Sequence, residues 1–350
     1  MSTEDPKSAD SPLFEMIRKE FSLGEKSVLG LDEISAILDF LHGKHLSYLI
    51  RREWEIQKTG EILAGWEIEH GKSLALIFQN EAQKIQLEDL NNKLTESIRI
   101  KERDMKMAEK VQQSLLVQSP PDTENYDVAF HYQPFASVSG DFYDFYTSGS
   151  KELSGVVVAD ISGHGIASSL ITALAKPVFF RNFRQYANEP LETVMTHVNR
   201  QLIEDMEGTD SYLTAILLRF SGNMVEYINA AHPDAIVRSR EKNFCGFIRP
   251  NDEPVQSSIL GLAHVEYPFT SHKVELLKND VLVIYTDCLL EARDKNGREI
   301  GEERIFSILD ECPPELSADG ILKKIISVFN AHRGDRPLDD DLTIVVLKKK

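Results

Sequence analysis

Hydrophobic and polar positions follow three different patterns along this chain, and each predicts a different kind of structure. In the first stretch the apolar spacing is helical. Leu31, Ile34, Ile37, Leu38 and Leu41 share one helical face, and the stretch from His45 to about Gly71 carries Leu46, Leu49, Ile50, Trp54 and Ile56 in a similar way. Ser11-Pro12 reads as a capped helix start, and Gly24 and Gly30 punctuate the chain beyond it. No strand pattern occurs, so residues 1–71 are expected to form a small helical regulatory or partner-binding domain.

The second pattern runs from Lys72 to Leu116 with neither glycine nor proline. Leu87, Leu90, Leu94, Ile98, Met105, Ala108 and Leu115 recur mostly at three- and four-residue steps among charges. This predicts a long amphipathic linker helix over residues 72–118, stopped by Pro120-Pro121. Its stripe suits either a parallel coiled coil or a single helix packed on its own domain.

The third pattern fills residues 119–350. Short apolar runs predict strands at Val128 to Tyr132, Gly155 to Asp160, Tyr212 to Phe220, Met224 to Ala230, Ala235 to Ser239, Val281 to Tyr285 and Leu342 to Leu347. Ser221-Gly222-Asn223 turns one hairpin. Helical spacing predicts helices at Ala167 to Phe183, Leu191 to Met206, Ile305 to Asp310 and Ala318 to Phe329. Hairpins with inserted helices fit a layered α+β fold.

Charge narrows the function. A net charge of −17 argues against a nucleic-acid partner, because phosphate backbones demand basic surface. Met1 to Ala9 is polar and acidic, unlike a secretory signal, and no apolar stretch is long enough to span a bilayer. Cys245, Cys288 and Cys312 have no paired spacing, which suits a reducing, cytoplasmic compartment.

The chemistry is carried by aspartates at strand ends. Asp141 lies in SGDFYD (139–144), Asp160 closes VVVAD (156–160), Asp287 closes VIYTD (283–287) and Asp340 lies in DDDLT (339–343). Each alone reads equally well as a turn former or helix cap. Together they look like a cage for hard divalent ions, because converging carboxylates repel unless cations lie between them. Other phosphate chemistries fail on spacing. Cys288 and Arg293 have four residues between them where a cysteine phosphatase needs five, and Gly65 to Gly71-Lys72-Ser73 has five where a phosphate-binding loop needs four. His42 and His45 flank Gly43 and read as an exposed turn.

The order GDFYD, VVVADISGHG, YLTAILLRF, YINAAHPD, VLVIYTDCLLEA and DDDLTIVVL resembles the SpoIIE/RsbU branch of the metal-dependent protein phosphatases, the protein phosphatase 2C superfamily. The resemblance runs from about Met105 to Lys350. It implies an αββα sandwich, two Mn²⁺ or Mg²⁺ ions, and removal of phosphate from serine or threonine of a partner protein. The implied substrate is a small anti-sigma-factor antagonist in bacterial signalling. The implied ligands are Asp141, Asp160 as the bridge, the main-chain carbonyl of Ile161, Asp287 and Asp340, with Asp341 the alternative if the register slips. Asp144 is assigned a supporting or capping duty. His164 and His232 are read as ordering their loops, since the expected ligands are all oxygens. The two ions would activate a water for in-line attack at phosphorus, with no protein nucleophile.

Two positions depart from the family pattern. Cys288 and Ala231 stand where glycine is usual, which costs on the order of 1 kcal/mol if the backbone needs positive φ. A thiol at Cys288 could sit beside the ions and sense oxidants, or be buried and inert. Two other classes of function are compatible with these features. One is a phosphatase fold reduced to a binding module, and the other is a helical dimerisation scaffold. The linker helix would make the protein a homodimer and carry a signal from residues 1–71, where a regulatory protein could bind, to the catalytic domain.

Overall fold

The computed structural model describes residues 71–163, 165–249, 258–263 and 268–350, with side chains from residue 83 onward. The expected helical domain over residues 1–71, His42, His45 and His164 lie outside the described residues. The chain divides into two compact units, Met1–Glu102 and Arg103–Lys350.

The uninterrupted polar-apolar pattern forms one helix, α1 (Gly71–Leu115). Lys93 and Asp89 pair at 2.9 Å one turn apart, the spacing that brings helical side chains together. Leu87, Leu90, Leu94 and Ile98 are exposed, Leu87 by 67% and Ile98 by 47%. The apolar stripe is therefore exposed among the described residues. No helix of the described residues is long and apolar enough to cross a membrane.

The strand patterns resolve into two five-stranded sheets. β1 (Tyr126–Gln133), β10 (Leu342–Lys349), β9 (Val281–Tyr285), β6 (Ile236–Ser239) and β7 (Phe244–Phe247) form one, in that order. β2 (Phe142–Thr147), β3 (Leu153–Ile161), β4 (Leu213–Ser221), β5 (Met224–Ala230) and β8 (His272–Glu275) form the other. Ser221 pairs with Met224, so the β4–β5 hairpin turns on two residues, and Gly222 supplies the positive φ of 61° that this tight turn requires.

Strand alternation sets the layers. Val156, Val158, Ile216, Leu218, Leu282, Ile284, Val345 and Leu347 meet between the sheets. Val157, Ala159 and Leu217 face outward onto α2 (Ile166–Gln185) and α3 (Leu191–Asp205), packing with Phe179, Met195 and Val198. Val283, Ile344 and Val346 face the opposite way, onto α4 (Cys288–Glu291), α5 (Gly301–Glu311) and α6 (Ala318–Arg333), with Leu289, Ile305 and Ile325. Central strands read as continuous apolar runs because both of their faces are covered. The result is the αββα sandwich expected of the sequence. Fully burying a Val, Leu or Ile contributes about 1.5–3 kcal/mol, so these three clusters dominate the stability of the fold.

Candidate functional site

Antiparallel register gathers the strand-end aspartates at one end of the sandwich. Phe142 pairs with Ala159, which sets Asp141, just before β2, beside Asp160 near the end of β3. In the other sheet Ile344 pairs with Tyr285, which sets Thr343 opposite Thr286. Thr286 N donates to Thr343 O at 3.0 Å and Thr343 N donates to Thr286 Oγ1 at 2.9 Å. Both hydroxyls then reach across to the first sheet. Thr286 Oγ1 and Thr343 Oγ1 donate to Asp141 Oδ2 at 2.9 and 2.6 Å. One buried carboxylate is thus held by donors from both strands of the opposite sheet.

The neighbouring aspartates have separate duties. Asp341 is buried, and each of its oxygens accepts a main-chain N–H: Phe135 N at 2.7 Å and Gly140 N at 2.8 Å. It latches the loop that delivers Asp141. Asp340 is exposed, with Oδ1 accepting Asp341 N at 2.8 Å. Asp287 opens α4 in a helical conformation, φ −55°. Ile161 donates its N–H to Gly140 O at 3.3 Å. A Cβ on Gly140 would stand 2.8 Å from the Ile161 carbonyl oxygen, so only glycine lets these two backbones approach. Asp144 pairs with Lys176 of α2 at 2.9 Å, and Lys176 also donates to Tyr143 O at 3.1 Å.

Charge in this cluster is uncompensated. Burial, then the Asp160 charge, raises the Asp141 carboxyl well above the usual carboxylate range despite its two hydroxyl donors. Burial, then Asp287, Asp340 and Asp341, pushes Asp160 up to about 7. Burial and Asp340 raise Asp287. Register sets Asp141 and Asp160 side by side, and their mutual repulsion favours a proton or a cation between the two. Among the described residues no Lys or Arg forms an ion pair with Asp141, Asp160, Asp287, Asp340 or Asp341.

This donor set fits a hard divalent ion: it is all oxygen, fixed on strand ends, and short of positive charge. Among the described residues no three His, Cys, Asp or Glu side chains enclose an ion by themselves. Mg²⁺ commonly takes one or two carboxylates and completes its shell with water. An ion here would draw on few side chains at a time, with a main-chain oxygen such as that of Ile161.

The two departures from glycine differ in consequence. Cys288 lies in α4 with helical backbone, so its Cβ carries no strain. Its buried thiol donates to Asp340 O at 3.3 Å, and burial pushes it up to about 12, which disfavours the reactive thiolate. Ala231 adopts φ 54° and does carry the strain. Ala231→Gly is expected to stabilise the protein by about 1 kcal/mol. That corresponds to a rise of about 2–4 °C in the thermal midpoint, measurable by calorimetry.

Several residues of this site are given no role by the sequence pattern. Thr286 and Thr343 lie in the quoted VIYTD and DDDLT runs without one. Gln112, in the last turns of α1, is another. It is buried, with Nε2 donating to Ser139 O at 2.7 Å and Oε1 accepting Ser139 N at 3.0 Å. Ser139 Oγ in turn accepts Asp141 N at 2.9 Å. The linker helix thereby grips the loop that carries Asp141.

A sandwich of this layering with carboxylates at one end is the architecture of the protein phosphatase 2C class. The chain belongs to the Stage II sporulation protein E (SpoIIE) family, whose model matches residues 150–350, more than half of its length. That span includes Asp160, Asp287 and Asp340; Asp141 precedes it and is brought in by the β2–β3 pairing. The chain is 25% identical over 249 residues to the phosphoserine phosphatase RsbP of Bacillus subtilis, covering 70% of this chain and 57% of RsbP. It is 26% identical over 263 residues to the phosphoserine phosphatase RsbU of the same organism, covering 71% and 70%. It thus spans little more than half of RsbP. Among solved structures, the SiaA-PP2C domain of Pseudomonas aeruginosa superposes with a TM-score of 0.59 at 14% identity, covering 72% of this chain and 98% of that domain, which shows the shared fold.

Proposed function

We propose that this protein is a metal-dependent protein serine/threonine phosphatase that dephosphorylates a partner protein, an anti-sigma-factor antagonist, in the bacterial cytoplasm. The observation that carries the reading is the uncompensated carboxylate cluster spanning both sheets. Asp141, Asp160, Asp287, Asp340 and the Ile161 carbonyl would hold two Mn²⁺ or Mg²⁺ ions. Asp341 serves as the latch of the 135–140 loop, since both of its oxygens are engaged by main chain. When bound, the ions would supply Lewis acidity to the phosphoryl oxygens and an activated water. The chain's own part is to fix the carboxylates: Thr286 and Thr343 favour the ionised form of Asp141 by donating to it, and Gly140 allows the Ile161 carbonyl to approach. The names of RsbP and RsbU favour phosphoserine as the substrate group.

Purified protein stripped with chelator should release phosphate from a phosphoserine peptide only after Mn²⁺ or Mg²⁺ is restored. Absence of hydrolysis with either ion would refute the reading.

We further propose a homodimer through α1, with activity regulated from the N-terminal region. The exposed Leu87–Leu90–Leu94–Ile98 stripe supports the dimer, and the Gln112 grip on Ser139 supports the coupling. Leu90→Lys combined with Leu94→Lys is expected to halve the sedimenting mass and to shift phosphatase activity from the wild-type value. A monomeric wild type, or a double variant unchanged in mass and rate, would contradict this.

A further inference from the structure

His232 is buried, only 5% exposed, yet it is not among the expected ion ligands. Its surroundings explain how it is held and what it reaches. β5 ends at Ala230, and the chain turns through the strained Ala231. Asn229 closes that turn: its Oδ1 accepts His232 N at 2.7 Å and its Nδ2 donates to His232 O at 2.8 Å. The same Nδ2 donates to Asp234 Oδ1 at 3.0 Å, and Asp234 Oδ2 pairs with Arg249 Nε at 2.6 Å. The turn is therefore fixed from both sides, and the imidazole has a fixed origin.

The turn runs from β5 of one sheet toward β6 of the other, and its ring bonds back to the first. His232 Nδ1 shares a hydrogen bond with Thr214 Oγ1 at 2.9 Å. Thr214 is the direct cross-strand partner of Asp160. Alternation along β3 and β4 points both side chains into the space between the sheets, where Val158 and Ile216 already lie, so they stand side by side on one face. Beyond the turn the chain enters β6, whose Ile236 pairs with Val283 of β9, the strand that leads to Asp287. His232 Nε2 makes no hydrogen bond to any described residue. Burial holds the ring neutral at ordinary pH and pushes its pKa down to about 3.

We infer that His232 is a positioning residue: bonded to Thr214 beside Asp160, in the turn that leads to β6 alongside β9, its imidazole sets the separation of the strand ends that carry Asp160 and Asp287. Side chains that orient ion ligands without touching the ion typically change affinity by about 10–100-fold when removed. The inference rests on the proposed metal site and adds a residue that acts through the spacing between its two halves. It also gives the strained turn a purpose, because the Ala231–His232 turn is what brings the ring to Thr214.

The test is Mn²⁺ titration by calorimetry on the full-length wild type and on His232→Asn, His232→Ala and Thr214→Val, with thermal unfolding of each in chelator. Thr214→Val removes the hydrogen bond at nearly constant shape and leaves the buried ring in place, so it remains informative if His232→Ala does not fold. The expected result is a loss of Mn²⁺ affinity of about 10-fold or more in Thr214→Val and His232→Ala. His232→Asn, which can keep the bond to Thr214 but fills less of the space beside it, should recover part of the loss. A packing role alone would lower the unfolding temperature in chelator and leave affinity unchanged. Wild-type Mn²⁺ affinity in Thr214→Val or in any folded His232 variant would overturn the inference. A wild type that binds no Mn²⁺ would overturn both it and the metal site.

Discussion

Asp160→Asn is expected to lower Mn²⁺-dependent turnover by about 10³-fold or more while leaving the protein at least as stable as wild type in the absence of metal. The two effects have one origin. Asp160 is crowded by burial and by Asp287, Asp340 and Asp341, which push its carboxyl up to about 7. A carboxyl raised above its unfolded value stabilises the fold while protonated and loses that contribution as pH rises through the folded value. Above about pH 7 the ionised Asp160 therefore burdens the metal-free fold. Asparagine has the same shape and no charge, so it relieves that burden. It also removes a charge proposed to hold the ions, an electrostatic loss of several kcal/mol in the transition state. Unfolding in chelator at pH 8, beside phosphate release in Mn²⁺, separates the two effects. A variant that is both destabilised and active would contradict the assignment.

Thr343→Val is expected to lower stability by about 2 kcal/mol and to raise the Mn²⁺ concentration needed for half-maximal activity. Thr343 is wholly buried and its hydroxyl makes the shorter of the two bonds to Asp141 Oδ2, 2.6 Å against 2.9 Å for Thr286. A hydrogen bond to a charged group contributes about 1.5–3 kcal/mol, and valine deletes it without opening a cavity. Losing a donor that favours the ionised carboxyl raises Asp141 further, so protons compete better with metal at neutral pH. Denaturant titration and an Mn²⁺ activation curve check the two parts. An unchanged midpoint in both would remove Thr343 from the site.

The contrast between these two residues shows what the sequence makes legible. Asp160 announces itself, because a carboxylate ending the apolar run of β3 is chemically out of place. Thr343 does not: a threonine in a terminal strand is ordinary, and its target Asp141 lies 202 residues away. The same divide runs through the fold. β3, β9 and β10 are readable because both faces are buried, which leaves continuous apolar runs. β7 and β8 are four-residue edge strands with half-exposed, mixed sequences, FCGF and HKVE, and carry too little pattern to read. β2 is hidden inside its own motif, since Asp144 breaks the apolar run and is accommodated only by Lys176 from α2. Helix bounds come out within a few residues, except that the four-residue α4 is not predicted and α5 begins at Gly301 rather than at Ile305, because its first turn is charged. The motif order points to the family and its sandwich. Register, which decides which strand ends meet, appears only in the folded molecule.

The central claim is that this carboxylate cluster is a two-ion site. Counting the manganese retained by chelator-stripped and reloaded full-length protein, after removal of free metal, tests it most directly. The account predicts two Mn²⁺ per chain in the wild type and a marked loss in Asp160→Asn. No retained manganese, or the same content in Asp160→Asn as in the wild type, would contradict it.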